Sequence, residues 1–142
     1  MVDTLLVERI LSDIQMCVQD LREVRNISWE EYSHDKRIRR FVERTLHIAV
    51  EAMIDVAQHV IADEKWREPA NYRDAFAVLA EEGAVGKAHL EQYQKMAAFR
   101  NLIVHYYEKI DDEVVFGIFQ RNLEDFELFV KDISQFLSKQ SL

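Results

Sequence analysis

Along most of this chain apolar residues return at every third or fourth position, the period of helices that bury one face. Leu6, Ile10, Ile14, Cys17, Leu21 and Val24 mark such a face over about Thr4 to Val24, with Asp3 placed to cap its start. Ser28 and Glu31 have the spacing of a capping box. Beyond them Ile38, Phe41, Thr45, Leu46, Ala49, Ala52, Met53, Val56 and Val60 draw a second stripe, which predicts one long helix to about Ala62. Glu68-Pro69-Ala70 breaks the pattern, because proline has no amide proton and disfavours helix in the residue before it. Asn71 is placed to cap a short helix through Tyr72, Phe76, Val78 and Leu79, ended by Gly83. A further helix is predicted from about Lys87 to Tyr106, its apolar side formed by Leu90, Tyr93, Met96, Phe99 and Ile103. The last follows Ile110-Asp111-Asp112 and carries Val115, Ile118, Phe119, Leu123, Phe126, Phe129, Val130, Ile133, Phe136 and Leu137.

Five helices result, four long and one short, and the economical packing is an all-α antiparallel bundle forming a single domain over residues 1–142. Composition agrees: three glycines and one proline leave little material for turns, and 49% apolar with 31% charged residues suits packed helices. A chain of 142 residues buries about 68–70% of its unfolded surface, enough for a core without metal or disulfide. The lone Cys17 lies in an apolar helical stretch and reads as a buried thiol in a reducing compartment, which points to the cytoplasm. No secretion leader is evident at the start and no apolar run approaches the roughly 20 residues that cross a bilayer, so no membrane association is expected. The apolar surface of the first and last helices exceeds what one bundle core covers, and a twofold homodimer is the expected way to hide it. The formal net charge of −8 repels a polyanion at long range, so any nucleic-acid contact must be local.

The densest chemistry lies in Ala98-Phe99-Arg100-Asn101-Leu102-Ile103-Val104-His105-Tyr106-Tyr107, where polar groups crowd the end of an apolar helix. At about 100° per residue Arg100 and His105 stand roughly 140° apart on a straight helix, Arg100 and Tyr107 nearly coincide, and Asn101 and His105 share a side. Bringing Arg and His together therefore takes a distorted helix end, the reach of arginine, or a second subunit. A twofold axis beside this helix would gather two Arg100 and two His105 in one cleft.

Arg100, four residues, His105, one residue, Tyr107 resembles the arginine-x4-histidine-x-tyrosine signature of the HepT toxins, a branch of the HEPN superfamily. The resemblance extends to Arg39-Arg40-Phe41-Val42-Glu43-Arg44, to Glu51-Ala52-x-x-Asp55 and to the Pro69 turn before Tyr72-Arg73, and so covers most of the chain. It implies a HEPN-like homodimeric bundle and the toxin of a type VII-like toxin–antitoxin system: an endoribonuclease with a shared dimer cleft and no metal or other cofactor. Cleavage by the 2′-hydroxyl on its own phosphate needs a base, an acid and a cation. His105 is assigned proton transfer, Arg100 charge stabilisation, and Asn101 the orientation of substrate or of His105. The resemblance further implies a partner, a minimal nucleotidyltransferase antitoxin that adds adenylate to Tyr107, with Tyr106 as the adjacent alternative acceptor. Adenylate there would add a phosphate and bulk where RNA phosphate binds.

Other polar groups carry weaker signals. Glu43, His47, Glu51, Asp55 and His59 recur every fourth residue, but such a stripe drifts by about 40° per step and no metal is assigned to it. Glu51 or Asp55 is expected to orient Arg100. Lys36, Arg37, Arg39 and Arg40 form the most basic stretch of an acidic chain and are candidate RNA contacts. An alternative function keeps the same fold: a non-catalytic helical dimer that binds and regulates a nucleotidyltransferase.

Overall fold

The structure, a computed structural model, describes residues 1–104 and 110–140. Its helices are α1 (Thr4–Glu23), α2 (Trp29–His34), α3 (Lys36–Glu64), α4 (Tyr72–Glu81), α5 (Leu90–Val104), α6 (Asp112–Arg121) and α7 (Leu123–Gln140), with a single 3-10 turn at Lys87–His89 before α5. No strand occurs among the described residues.

Long helix α3 is the spine: α1, α4 and α5 pack on it, and α7 closes the bundle against α1. The directions are antiparallel, as the ends of the helices show. The backbone amide of Asp3 donates to the Asp63 carboxylate at 3.0 Å, tying the start of α1 to the end of α3. Arg25 at the other end of α1 meets Glu124 at 3.0 Å, and so marks the start of α7. Arg100 near the end of α5 lies over Tyr72 at the start of α4, while Tyr93 nearer the start of α5 meets Phe76 further along α4, so α5 runs antiparallel to α4.

The apolar stripes of the sequence become the core. Val7, Ile10, Leu11, Ile14, Cys17, Val18 and Leu21 are buried on α1, and Leu123, Phe126, Phe129, Val130, Ile133 and Leu137 on α7. Burial raises the pKa of the Cys17 thiol, with Asp20 and Asp13 adding to the effect. Phe129 sits edge-on to both Phe76 of α4 and Tyr93 of α5, with centroids 5.8 and 5.3 Å away, in the geometry aromatic pairs favour. Tyr93 in turn donates to the half-buried Asp132 at 2.6 Å, and His89 reaches the same oxygen at 2.9 Å, so the entry to α5 is fastened to α7.

Two expected helices are each divided. The stripe from Ser28 onward is interrupted at Asp35, whose backbone is extended and whose side chain accepts from the amides of Arg37 and Ile38 at 3.0 and 3.1 Å. Aspartate caps a new helix more readily than it continues an old one, and α2 with its own capping box at Ser28 and Glu31 stands apart from α3. The final stripe is likewise broken at Asn122, which leaves the helical conformation at the end of α6 and whose side-chain amide donates to the Asp125 carboxylate at 3.1 Å. Phe41, expected in the core, is 40% exposed. The apolar surplus is also redistributed: α7 leaves no large apolar side chain exposed, whereas Leu5 and Met16 on α1, Phe41 and Ile48 on α3 and Leu102 on α5 face outward.

Candidate active site

Arg100 leaves α5 on the side that faces α3, and Glu51 of α3 receives its Nε at 2.5 Å. The guanidinium carbon lies 4.9 Å from the ring centroid of Tyr72, the first residue of α4, so three helices converge on one cation. Only a quarter of the Arg100 side chain is exposed. The hydrogen bond and charge of Glu51 hold the guanidinium above its already high pKa, which keeps it cationic at any working pH. Among the described residues Nε is its one hydrogen-bonded atom, and the two terminal nitrogens retain the fork that grips phosphate oxygens. His47, one turn before Glu51, brings Nε2 within 3.4 Å of the same carboxylate oxygen.

Of the two acidic residues expected to orient Arg100, Glu51 makes the contact. Asp55, one turn further along α3, pairs with His59 at 3.5 Å instead. Asn101 follows Arg100 by about 100° around α5 and so looks toward α4 rather than α3. It is exposed and borders a cleft with Asn71, Tyr72, Arg73 and Ala97. His105, Tyr106 and Tyr107 lie outside the described residues. Among the described residues no three His, Cys, Asp or Glu side chains stand close enough to share a metal ion.

The basic run divides. Lys36, Arg37 and Arg40 are exposed, Arg40 bonding the buried Glu43 at 3.0 Å. Arg39 instead turns inward, donating to the carbonyls of Ser33 and Tyr32 at 2.6 and 3.3 Å and pairing with Asp112 at 3.7 Å. Its work is to bind α2 and α6 to α3, and it is not gathered with its three neighbours.

Tyr72 is the part of the site that periodicity hides, since its spacing reads as ordinary helix core. It is held in place by the preceding turn: Arg67 makes a paired hydrogen bond to Asp74 at 2.8 and 2.9 Å and reaches Glu81 at 2.8 Å, while Asn71 caps α4 by accepting from the Asp74 amide at 2.8 Å. The Arg67 bonds hold the Asp74 carboxyl well below its usual range, with the Ala70 amide adding to the effect, and lower the pKa of Glu81. α3 ends where Lys65 takes the left-handed conformation (φ 57), four residues before Pro69, and the chain then reverses and lays Tyr72 against Arg100.

The family model described as Ribonuclease HepT-like matches residues 14–133, which contain the whole Arg100–Glu51–Tyr72 constellation and the arginine-x4-histidine-x-tyrosine segment. The chain belongs to the HepT-like ribonuclease family. Among its relatives it is 28% identical over 120 residues to the mRNA nuclease HepT of Shewanella oneidensis, covering 84% of this chain and 90% of that one. It is 25% identical over 136 residues to the tRNA nuclease HepT of Aphanizomenon flos-aquae, covering 96% and 92%. A solved structure of the tri-AMPylated Shewanella oneidensis HEPN toxin in complex with an MNT antitoxin superposes with a TM-score of 0.82 at 26% identity, covering 95% of this chain and 99% of that one. The cytosolic protein YutE of Bacillus subtilis shares the fold, with a TM-score of 0.86 at 19% identity over 98% of this chain and 93% of that one. No helix among the described residues of this HepT-like chain is long and apolar enough to cross a membrane.

Proposed function

We propose that this chain is the toxin of a toxin–antitoxin pair, an endoribonuclease that cuts RNA without a metal ion. It would act in the cytoplasm as one helical domain spanning residues 1–142. The observation that carries the reading is Arg100 itself: a cation held by Glu51 and Tyr72 at the head of the family signature, with two nitrogens left for phosphate. In this scheme the 2′-hydroxyl attacks the adjacent phosphorus and the bond to the 5′-oxygen of the next nucleotide breaks, leaving a cyclic phosphate. His105 transfers the protons, Arg100 neutralises the charge gathering on the phosphorane oxygens, and Asn101 orients the substrate. A base and an acid are both needed and the signature holds one histidine per chain, so the active form is a homodimer with a composite cleft. Lys36, Arg37 and Arg40 offer the exposed positive charge that draws RNA to an acidic protein.

A minimal nucleotidyltransferase antitoxin is proposed as the partner, with Tyr107 as the adenylate acceptor. Family membership and the tri-AMPylated neighbour bound to its MNT antitoxin support this. Each adenylate brings a phosphate anion to the end of α5, where it competes with RNA for Arg100.

The test is cleavage of RNA by unmodified protein in excess EDTA. The expected result is cutting with cyclic-phosphate ends, reduced about 100-fold to 1,000-fold in Arg100→Ala and in His105→Ala, the scale of removing one transition-state contact. Undiminished cleavage in both variants would exclude the mechanism. Co-expression with a minimal nucleotidyltransferase of the MNT type should add adenylate masses that vanish in Tyr107→Phe, and persistence in that variant would transfer the acceptor role to another residue.

A further inference from the structure

Next to the Arg100 site lies a cleft of about 440 Å³ walled by Asn71, Tyr72, Arg73, Ala97 and Asn101. Small-molecule pockets span roughly 300–1,000 Å³, so it is large enough to seat a ligand. Its chemistry sets it apart from the rest of the surface. In a chain of formal net charge −8, no acidic residue lines it among the described residues. The cavity that shares the Tyr72 wall instead presents Asp13, Glu51 and Asp55. Tyr72 thus separates an acidic hollow from an acid-free one, with the Arg100 guanidinium lying over its ring.

The polar groups of the acid-free cleft are uncommitted. Asn101 is exposed and its side chain has no hydrogen-bond partner among the described residues. Asn71 uses its carbonyl oxygen to cap α4 through the Asp74 amide, which leaves its two amide protons without a partner among the described residues. The Arg73 guanidinium forms no ion pair among the described residues, its backbone carbonyl alone being engaged, by Gln94. Ala97 presents only a methyl group and leaves the space between α4 and α5 open. One aromatic ring, two carboxamides and one guanidinium around an apolar floor are the groups that hold an unstacked nucleobase: the ring covers its face, the amides bond its edge, and the cation meets a neighbouring phosphate.

We infer that this cleft is the nucleobase subsite of the RNA site, seating the base of a nucleotide whose phosphate lies on Arg100. The inference rests on the ribonuclease reading for the identity of its ligand. Asn71 and Asn101 then read the base edge, and Arg73 holds the strand beyond it.

Titration of unmodified protein with AMP, GMP, CMP and UMP and with ribose 5-phosphate, alongside the EDTA cleavage assay, tests this. All five carry the phosphate and four carry a base. At least one nucleotide should bind about 10-fold more tightly than the sugar phosphate, on the scale of one base–aromatic contact. Tyr72→Leu should erase that difference, Tyr72→Phe should keep it, and Arg73→Ala should leave the ratio intact while weakening all five. Equal affinity of nucleotides and sugar phosphate, or an advantage of the base that survives Tyr72→Leu, overturns the subsite. Base-dependent binding by a protein that cuts no RNA would remove the ribonuclease reading and leave a nucleotide site. Cleavage without base-dependent binding would do the reverse.

Discussion

At the scale of the residue, Arg100 illustrates how a surface side chain becomes a tool. A free arginine on a helix samples many rotamers, and ordering it costs entropy at each encounter with substrate. Here the Nε–carboxylate bond to Glu51 and the Tyr72 ring fix the stem before substrate arrives. In the proposed mechanism Glu51 is accordingly a positioning residue with an electrostatic cost, since its charge would also repel RNA. Glu51→Gln should therefore lower kcat by about 10-fold to 100-fold, the scale of small misplacements in a reactive geometry, while KM falls because one repelling carboxylate is gone. Steady-state cleavage kinetics check this, and an unchanged kcat would show that Glu51 does not aim the guanidinium. Asp55, with its partner at His59, should be silent in the same assay.

Among the elements, the caps and the turn before α4 determine where the site residues stand. Asp35 both ends α2 and starts α3. Asp35→Ala should cost about 1 kcal/mol, the usual worth of an N-cap, seen as a lower midpoint in urea unfolding. An unchanged midpoint would mean that the amides of Arg37 and Ile38 find other partners. The Arg67 fork governs the turn. A carboxyl whose pKa is lower in the folded than in the unfolded state contributes stability above the unfolded value, and that contribution is lost as pH falls through the folded one. The Asp74 and Glu81 pairing should thus persist as pH drops below about 4, where free carboxylates protonate. In Arg67→Gln the Asp74 carboxyl should titrate at higher pH, toward the ordinary value of about 3.9, with the Ala70 amide still holding it somewhat below, as followed by carbon NMR. Identical titration in both proteins would show that the fork is open in solution.

For the whole molecule, the exposed apolar residues define the remaining expectation. Phe41 and Ile48 are seven positions apart on α3 and so share a face, and both stand exposed beside the basic Arg44. The proposed composite active site would require a second copy, and this stripe, with Leu102 of α5, is the apolar seat proposed for it. Sedimentation equilibrium should give a dimer for the native chain and a monomer for the Phe41→Asp, Ile48→Asp double variant, with cleavage lost in the monomer. A monomeric, fully active native chain would rule out the shared cleft.

Much of this architecture was legible in the order of residues, because burial of one helical face every 3.6 positions is a local, periodic constraint. The stripes of α1, α4, α5 and α7, the Asp3, Ser28, Asn71 and Asp111 caps and the stop at Gly83 all follow from it. The breaks at Asp35 and Asn122 were not legible as such: one residue leaving the helical conformation interrupts a helix without disturbing the apolar period on either side. Nor did periodicity distinguish Phe41 from its buried neighbours, since which edge of a stripe meets another helix depends on the packing. The chain order alone marked Arg100 and Asn101 as chemically unusual and offered Glu51 and Asp55 as equal partners. Tertiary structure chose Glu51, turned Arg39 inward and set Tyr72 beneath the guanidinium. Those are contacts between helices far apart in sequence, and local spacing holds no record of the crossing points that decide them.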